Sequence, residues 1–200
     1  MNGWRLVGTL SLLLAAMALS LMASHGWDIE GVRLAIRATA RTSLVLFALA
    51  FTASAVAELL PSGATRWQRR NRRYLGVSFA VSHVIHLAVI LALAALDRAL
   101  FWKLTNVMTI VLAGAAYLFI AAMTATSFDR TAAWLGPRKW RLLHLIGGWY
   151  IWISFAVAVG KRVPLDSFYW PMAVLVLAIA AVRLIAMFRR NRRPIALSTP

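Results

Sequence analysis

Residues 74–96 read YLGVSFAVSHVIHLAVILALAAL, an apolar run without a single Asp, Glu, Lys or Arg. A helix of about 20 predominantly apolar residues is long enough to cross the hydrocarbon core of a bilayer. The run follows directly on the basic cluster of residues 66–73. The sequence therefore predicts a transmembrane helix that starts at a basic loop.

Five further stretches of similar character predict an all-α polytopic membrane protein, a six-transmembrane-helix bundle that forms one domain. The predicted spans cover residues 6–24, 42–60, 74–96, 104–128, 142–160 and 170–188, and residues 189–200 are predicted as a basic tail. A signal peptide is the alternative interpretation of the first span. We expect a retained helix, because a signal peptide has a shorter apolar region of about 7–15 residues.

The composition excludes a soluble single domain. The chain of 200 residues is 62% hydrophobic and 14% charged, with a mean hydropathy of +0.74, whereas soluble domains are about 45–50% apolar and about 25% charged. The net charge is +16, but the basic residues lie between apolar runs, so we expect membrane lipids and no nucleic acid as the partner. Cysteine is absent, which excludes disulfides, thiolate metal sites and iron–sulfur clusters.

The distribution of Lys and Arg predicts the orientation. Alternate connections hold 14 Lys and Arg on one side and 7 on the other. Because basic residues stay with cytoplasmic loops during insertion, both termini are predicted to be cytoplasmic. The expected location is a bacterial inner (plasma) membrane. The richer side holds Arg5, Arg66, Arg69, Arg70, Arg72, Arg73, Arg130, Arg138, Lys139, Arg141, Arg189, Arg190, Arg192 and Arg193.

Three histidines within the predicted spans are the main candidates for chemistry. His83 and His86 lie on the third predicted helix and His144 on the fifth. Ionisable residues inside a membrane are costly and point to function, and imidazoles on two helices suit axial ligation of haem iron. Hydrogen-bonded core histidines are the alternative. Helix-rise arithmetic leaves a pairing of His144 with either His83 or His86 open.

Other metal sites are weaker candidates. A zinc or copper site would need a carboxylate beside the histidines, and the acidic residue within a span is Glu58. We expect Glu58 to pair with an arginine of the adjacent basic loop. His25 is expected to be an exposed loop residue.

An arginine stripe enters the second predicted helix. Arg33, Arg37 and Arg41 recur every four residues and so share one helix face. Guanidinium groups bind carboxylates through two hydrogen bonds, so the stripe is a candidate for holding haem propionates or another anion. Contact with lipid phosphates is the alternative, and it is the favoured one for Arg33 and Arg37.

Two segments resemble a known family. The run of residues 72–87, RRYLGVSFAVSHVIHL, resembles the RRxLG…LH segment of ferric reductase-like transmembrane proteins. Residues 140–144, WRLLH, are similar to the family's W-x-RLH signature, and Thr126-Ser127 to its Thr-Ser element. The likeness covers about residues 33–160. It is closest to the haem-binding membrane subunits of bacterial methionine sulfoxide reductases.

The resemblance implies a six-helix bundle that binds haem b. His86 matches the family's ligand on the third helix, and His144 matches the first of two histidines on the fifth. Arg72 lies where related oxidases carry an inner-haem histidine. The chain departs from the pattern at Val157, where the family has the second histidine of the fifth helix.

The predicted function is a haem b-binding redox subunit. We expect His86 and His144 as iron ligands, His83 as a substitute, and Arg41 and Arg72 beside the propionates. One haem, or two, would pass electrons from a cytoplasmic flavin reductase or quinol to an acceptor protein on the opposite side, so that flavin or quinone enters only through a partner. The alternatives are a haem-less interaction or scaffold protein of the same fold and, less favoured, a small anion transporter.

Overall fold

The computed structural model describes residues 1–192 and confirms the all-α, six-span prediction. Six helices in that range are long and apolar enough to cross a membrane. The helices are α1 (Trp4–Ala23), α2 (Ile29–Leu59), α3 (Gly63–Arg70), α4 (Arg72–Leu96), α5 (Arg98–Leu104), α6 (Val107–Ala125), α7 (Asp129–Leu135), α8 (Pro137–Gly160) and α9 (Trp170–Asn191). A 3-10 turn, Ser167–Tyr169, precedes α9.

The largest difference from the predicted boundaries is at α2, which begins at Ile29 rather than near residue 42. Asp28 caps this helix by accepting a hydrogen bond of 2.8 Å from the backbone nitrogen of Gly31. Glu30 pairs with Arg33 and Arg37 along the same helix. The arginine stripe is therefore part of the helix, because capping and ion pairing stabilise turns that an apolar-run criterion leaves out.

Smaller differences occur at α6 and α8. The α6 helix begins at Val107 because Asn106 caps it, accepting a hydrogen bond of 2.8 Å from the backbone nitrogen of Thr109. The α8 helix begins at Pro137, five residues before the predicted start. Proline is well suited to a first helical turn, where no internal partner for its nitrogen is needed.

The α2 and α4 helices form the central pair of the bundle. A hydrogen bond of 2.7 Å joins the Ser43 and Ser82 hydroxyls, which are fully buried between these helices. The α1 helix packs on both, α9 packs on α2, and α6 and α8 form a second pair. Aromatic contacts join the pairs, with the Phe47 ring 5.5 Å from that of Phe155.

One end of the bundle gathers the start of the chain, α3, the start of α4 and the end of α9. The Trp67 indole nitrogen donates to the Met1 carbonyl at 3.0 Å, and the Gly3 nitrogen donates to the Asn71 side chain at 3.1 Å. Arg190 near the end of α9 contacts Glu58 near the end of α2. We call this the basic end. The predicted tail from residue 193 lies outside the described residues.

Candidate functional site

The three histidines lie at two different depths. The α4 and α8 helices both start at the basic end, and the His83 ring on α4 lies 5.8 Å from the Phe155 ring on α8. Phe155 follows His144 by eleven residues, which is about 16 Å along a helix. The structure therefore brings His83 and His86 together, but it does not bring His144 to their level.

His83 lies in an aromatic enclosure. Its ring is 4.7 Å from the ring of Phe79 and 5.5 Å from that of Tyr117, measured between centroids. Its Nδ1 atom is buried and has no hydrogen-bond partner among residues 1–192. The His86 ring follows at 5.8 Å. We call His83, His86 and the residues that contact them the histidine layer.

His86 is held by a buried threonine of α2. The Thr39 hydroxyl is fully buried, lies 2.9 Å from His86 Nδ1 and lies 2.7 Å from the carbonyl oxygen of Ala35. The Ile36 carbonyl lies at 3.1 Å from the same hydroxyl. A carbonyl oxygen can only accept, so when the hydroxyl hydrogen goes to Ala35 or Ile36, the Thr39 oxygen accepts from His86 Nδ1–H and Nε2 keeps a free lone pair. When the hydroxyl donates to Nδ1 instead, Nε2 carries the proton.

Arg41 lies at the level of the histidine layer. Because α2 and α4 run antiparallel, the Thr39–His86 and Ser43–Ser82 contacts place Arg41 level with the turn between the two histidines. Its guanidinium group lies 4.5 Å from the ring centroid of Phe168. Its Nε atom is buried without a hydrogen-bond partner in the described part of the chain.

His144 has different surroundings, nearer the basic end. Its ring stacks on that of Trp140, with the centroids 4.1 Å apart. Its Nε2 atom makes a long contact of 3.4 Å with the Thr126 hydroxyl, which donates to the carbonyl of Ala122 at 2.8 Å. The Arg72 guanidinium lies 5.9 Å from the Trp140 ring. The Nε2 atom of His144 is thus already in contact with a threonine hydroxyl, whereas in His86 it is Nδ1 that contacts a threonine.

A cleft of about 640 Å³ opens at the basic end. We call it the arginine cleft, and its lining residues are Ser54, Glu58, Arg69, Arg72 and Arg190. Glu58 pairs with Arg190 at 2.7 Å, so the predicted pairing with the adjacent basic loop is wrong. The reason is tertiary, since α9 packs on α2 and places Arg190 beside the carboxylate.

Two other positions from the sequence analysis, His25 and Val157, have clear outcomes, and two glycines of α8 mark close packing. His25 is exposed, as predicted, and contacts its neighbour Ser24. Val157 is 48% exposed, so the position that the resemblance assigns to a second ligand lies on the outside of α8. Gly147 and Gly148 allow close approach, since a Cβ on Gly148 would lie 2.4 Å from the Phe51 ring.

The donor set of the histidine layer fits a haem better than a bare metal ion. Among residues 1–192, no group of three or more His, Asp or Glu side chains could hold a metal ion. A haem needs one or two axial ligands from the protein and cations near its propionates. A ring nitrogen of His86 meets the first need. Arg41 lies at the same depth, but Thr39 and Ser43 face α4, so Arg41 lies on another face of α2, beside Phe168.

No protein-family model, curated protein or solved structure matches the chain. The resemblance to ferric reductase-like proteins stays a prediction carried by the two motifs.

Sequence reasoning missed the residues that position the histidines. Thr39, Tyr117 and Phe155 come from three different helices. Tyr117 donates to the backbone carbonyl of His83 at 3.1 Å. The sequence offered one signal for these positioning residues. Thr39 is a polar residue two positions before Arg41 in the same segment, and it could have been considered as a hydrogen-bond partner for a histidine.

Proposed function

We propose that the protein is a haem b-binding redox subunit of a membrane electron-transfer system, with His86 as an iron ligand. The observation that carries the proposal is the hydrogen bond of 2.9 Å between His86 Nδ1 and the buried Thr39 hydroxyl. Histidines that bind a metal usually donate their other ring N–H to a carboxylate, a backbone carbonyl or water, which fixes the ring and its tautomer. The Thr39 hydroxyl oxygen is an acceptor in the same position. His86 is the histidine within the membrane spans whose Nε2 is left available in this way.

The residues around the histidines support the same proposal. Arg41 lies at the depth of His86, contacts Phe168 rather than either histidine, and has an Nε without a partner among the described residues. We propose it as the cation for a haem propionate that reaches this side of α2, because a carboxylate would satisfy that donor. The Phe79, Tyr117 and Phe155 rings contribute apolar and aromatic walls beside the imidazoles.

A bound haem supplies a one-electron iron centre, and the protein contributes ligands, burial and charge that set its potential. His144 lies at a second depth, nearer the basic end, beside Trp140 and Arg72. We propose His144 as the ligand for a second haem where one is bound. Two centres at two depths would carry electrons through the bundle in steps.

The proposed orientation follows the positive-inside rule. The basic end, which holds Arg66, Arg69 and Arg70 of α3, would face the cytoplasm of a bacterial cell and receive electrons from a flavin reductase or a quinol. The acceptor protein would bind on the opposite side. Both partners belong to the proposal because the described chain has room for neither a flavin domain nor a periplasmic domain between its helices.

The test is a dithionite-reduced minus oxidised absorption spectrum of detergent-purified protein, expressed with added haem precursor and assayed for haem per chain. A b-type spectrum with at least one haem per chain is the expected result. A folded protein without haem would contradict the proposal. That outcome would favour the haem-less interaction or scaffold protein.

A further inference from the structure

The arginine cleft carries a net positive charge that its own residues do not neutralise. Three guanidinium groups and one carboxylate line it, and the carboxylate is already paired with Arg190. Several cations around one concave site favour a ligand with a phosphate group, which arginine binds through paired hydrogen bonds.

The carboxylate of Glu58 adds a second requirement. Its Oε2 atom contacts the Arg190 Nε at 2.7 Å, whereas its Oε1 atom is buried and has no hydrogen-bond partner in the part of the chain that the structure describes. A carboxylate oxygen accepts hydrogen bonds, so the ligand should also bring a donor. The Ser54 hydroxyl on the same wall is used by Arg72, which donates to it at 3.0 Å.

The cleft lies at the depth of lipid headgroups. Glu58 is the last residue but one of α2, Arg72 is the first of α4, and Arg190 is the last but one of α9. All three are membrane-spanning helices that end at the basic end. Basic pockets between transmembrane helices at this level are suited to anionic headgroups.

We propose that the arginine cleft binds the headgroup of an anionic phospholipid that bears hydroxyl groups, as phosphatidylglycerol does. The phosphate contacts Arg69 and Arg72, and a headgroup hydroxyl donates to Glu58 Oε1. This site is separate from the histidine layer and does not depend on haem.

The experiment is a lipid titration of purified, delipidated protein in detergent, followed by native mass spectrometry. The probes are phosphatidylglycerol, phosphatidic acid and phosphatidylcholine with identical acyl chains. Phosphatidylglycerol is expected to bind with the lowest Kd. Equal binding of phosphatidylcholine would overturn the anionic site, and tighter binding of phosphatidic acid would overturn the contact between Glu58 and a hydroxyl.

Matched variants locate the site. Arg69→Gln should weaken phosphatidylglycerol binding about tenfold, equivalent to about 1.4 kcal/mol, while Arg66→Gln should change it less than about twofold. Both residues are exposed on α3, but Arg66 does not line the cleft. An equal effect of the two substitutions would mean diffuse attraction to the basic end and would overturn the site.

Two further arms test the role of Glu58 and the source of the headgroup. Glu58→Gln should lower the preference for phosphatidylglycerol over phosphatidic acid. The substitution removes the negative charge that repels the phosphate, so phosphatidic acid, which has no headgroup hydroxyl, should bind more tightly. An unchanged preference in the folded variant would contradict the contact. Soluble glycerol 3-phosphate should not displace the lipid at matched concentration, and displacement would identify a soluble ligand instead.

Discussion

The histidine layer and the basic end each hold a buried polar atom without a hydrogen-bond partner, but the two atoms differ in kind. In the histidine layer, the atom is the Nδ1 of His83. At the basic end, Arg72 donates to Ser54 and Arg190 pairs with Glu58, and the atom left without a partner among residues 1–192 is the Oε1 of Glu58. Since an unpaired buried polar group is costly, a ligand is expected to complete each region, and at the basic end it should bring a hydrogen-bond donor.

The two regions also differ in what holds the histidine. Thr39 is fully buried, and its hydrogen bond to His86 has the ordinary length of 2.9 Å. The contact between Thr126 and His144 is 3.4 Å, a length at which hydrogen bonds are weak. The comparison favours His86 over His144 as the candidate ligand, because a buried hydroxyl lies within hydrogen-bond distance of its Nδ1.

The largest expected effect distinguishes the two depths. His86→Ala should remove the haem of the histidine layer, whereas His144→Ala should leave that haem in place, because about 16 Å of helix separates His144 from this level. Haem per folded chain and the reduced absorption spectrum are the measurements. Loss of all haem in His144→Ala together with full retention in His86→Ala would contradict this assignment and make His144 the ligand.

The next effect tests the fixed tautomer. Thr39→Val keeps the shape of the side chain but removes the acceptor for His86 Nδ1–H, and such outer-shell changes typically weaken metal binding about 10- to 100-fold. Haem affinity should therefore fall about tenfold or more in a haem titration. Thr42→Val is the matched control, because the Thr42 hydroxyl bonds only to backbone carbonyls of α2. Equal effects of the two variants would show a general packing defect.

A smaller effect concerns the stability of the basic end. Asn71 is 2% exposed, accepts from the Gly3 nitrogen and donates to the Asn2 side chain at 2.9 Å. Asn71→Ala should lower the free energy of unfolding by about 1–3 kcal/mol, since it leaves these groups without partners. Denaturant unfolding in detergent measures the change. The exposed Asn191→Ala should change little, and haem content should be unaffected in both variants.

The smallest expected effect is at the surface of the basic end. Asp129 is exposed and pairs with Arg73, which holds the pKa of the Asp129 carboxyl below its usual range. A lowered pKa in the folded protein stabilises it above the ordinary pKa, and the stabilisation is lost as the pH falls through the folded value. The Tm of Asp129→Asn should therefore be slightly below that of the wild-type protein at pH 7 and equal to it in acid. A difference that persists in acid would assign the effect to something other than the ion pair.

The number and order of the membrane helices were predictable because each span is a long apolar run. The start of α2 was not, because Glu30, Arg33 and Arg37 look like a polar loop until their pairing along one helix is considered. The predicted partner of Glu58, an arginine of the adjacent loop, was wrong for a related reason. Nothing in the local sequence indicates that α9 returns beside α2 and places Arg190 there.

The candidate site was predictable in its residues but not in its geometry. His83, His86 and His144 are visible as ionisable groups in apolar runs, and Arg41 as the deepest member of a stripe. Their depths depend on how α4 and α8 align, which uncertain helix ends cannot fix. The contact between the His83 and Phe155 rings fixes that alignment.

The central claim is that His86 binds haem iron, and the most direct measurement is ligand rescue. The reduced minus oxidised spectrum of His86→Gly is recorded with and without imidazole, beside His25→Gly as the exposed control. We expect the haem signal of the histidine layer to be lost in His86→Gly and restored by imidazole, with no change in His25→Gly. A folded His86→Gly protein with normal haem content and no response to imidazole would contradict the account.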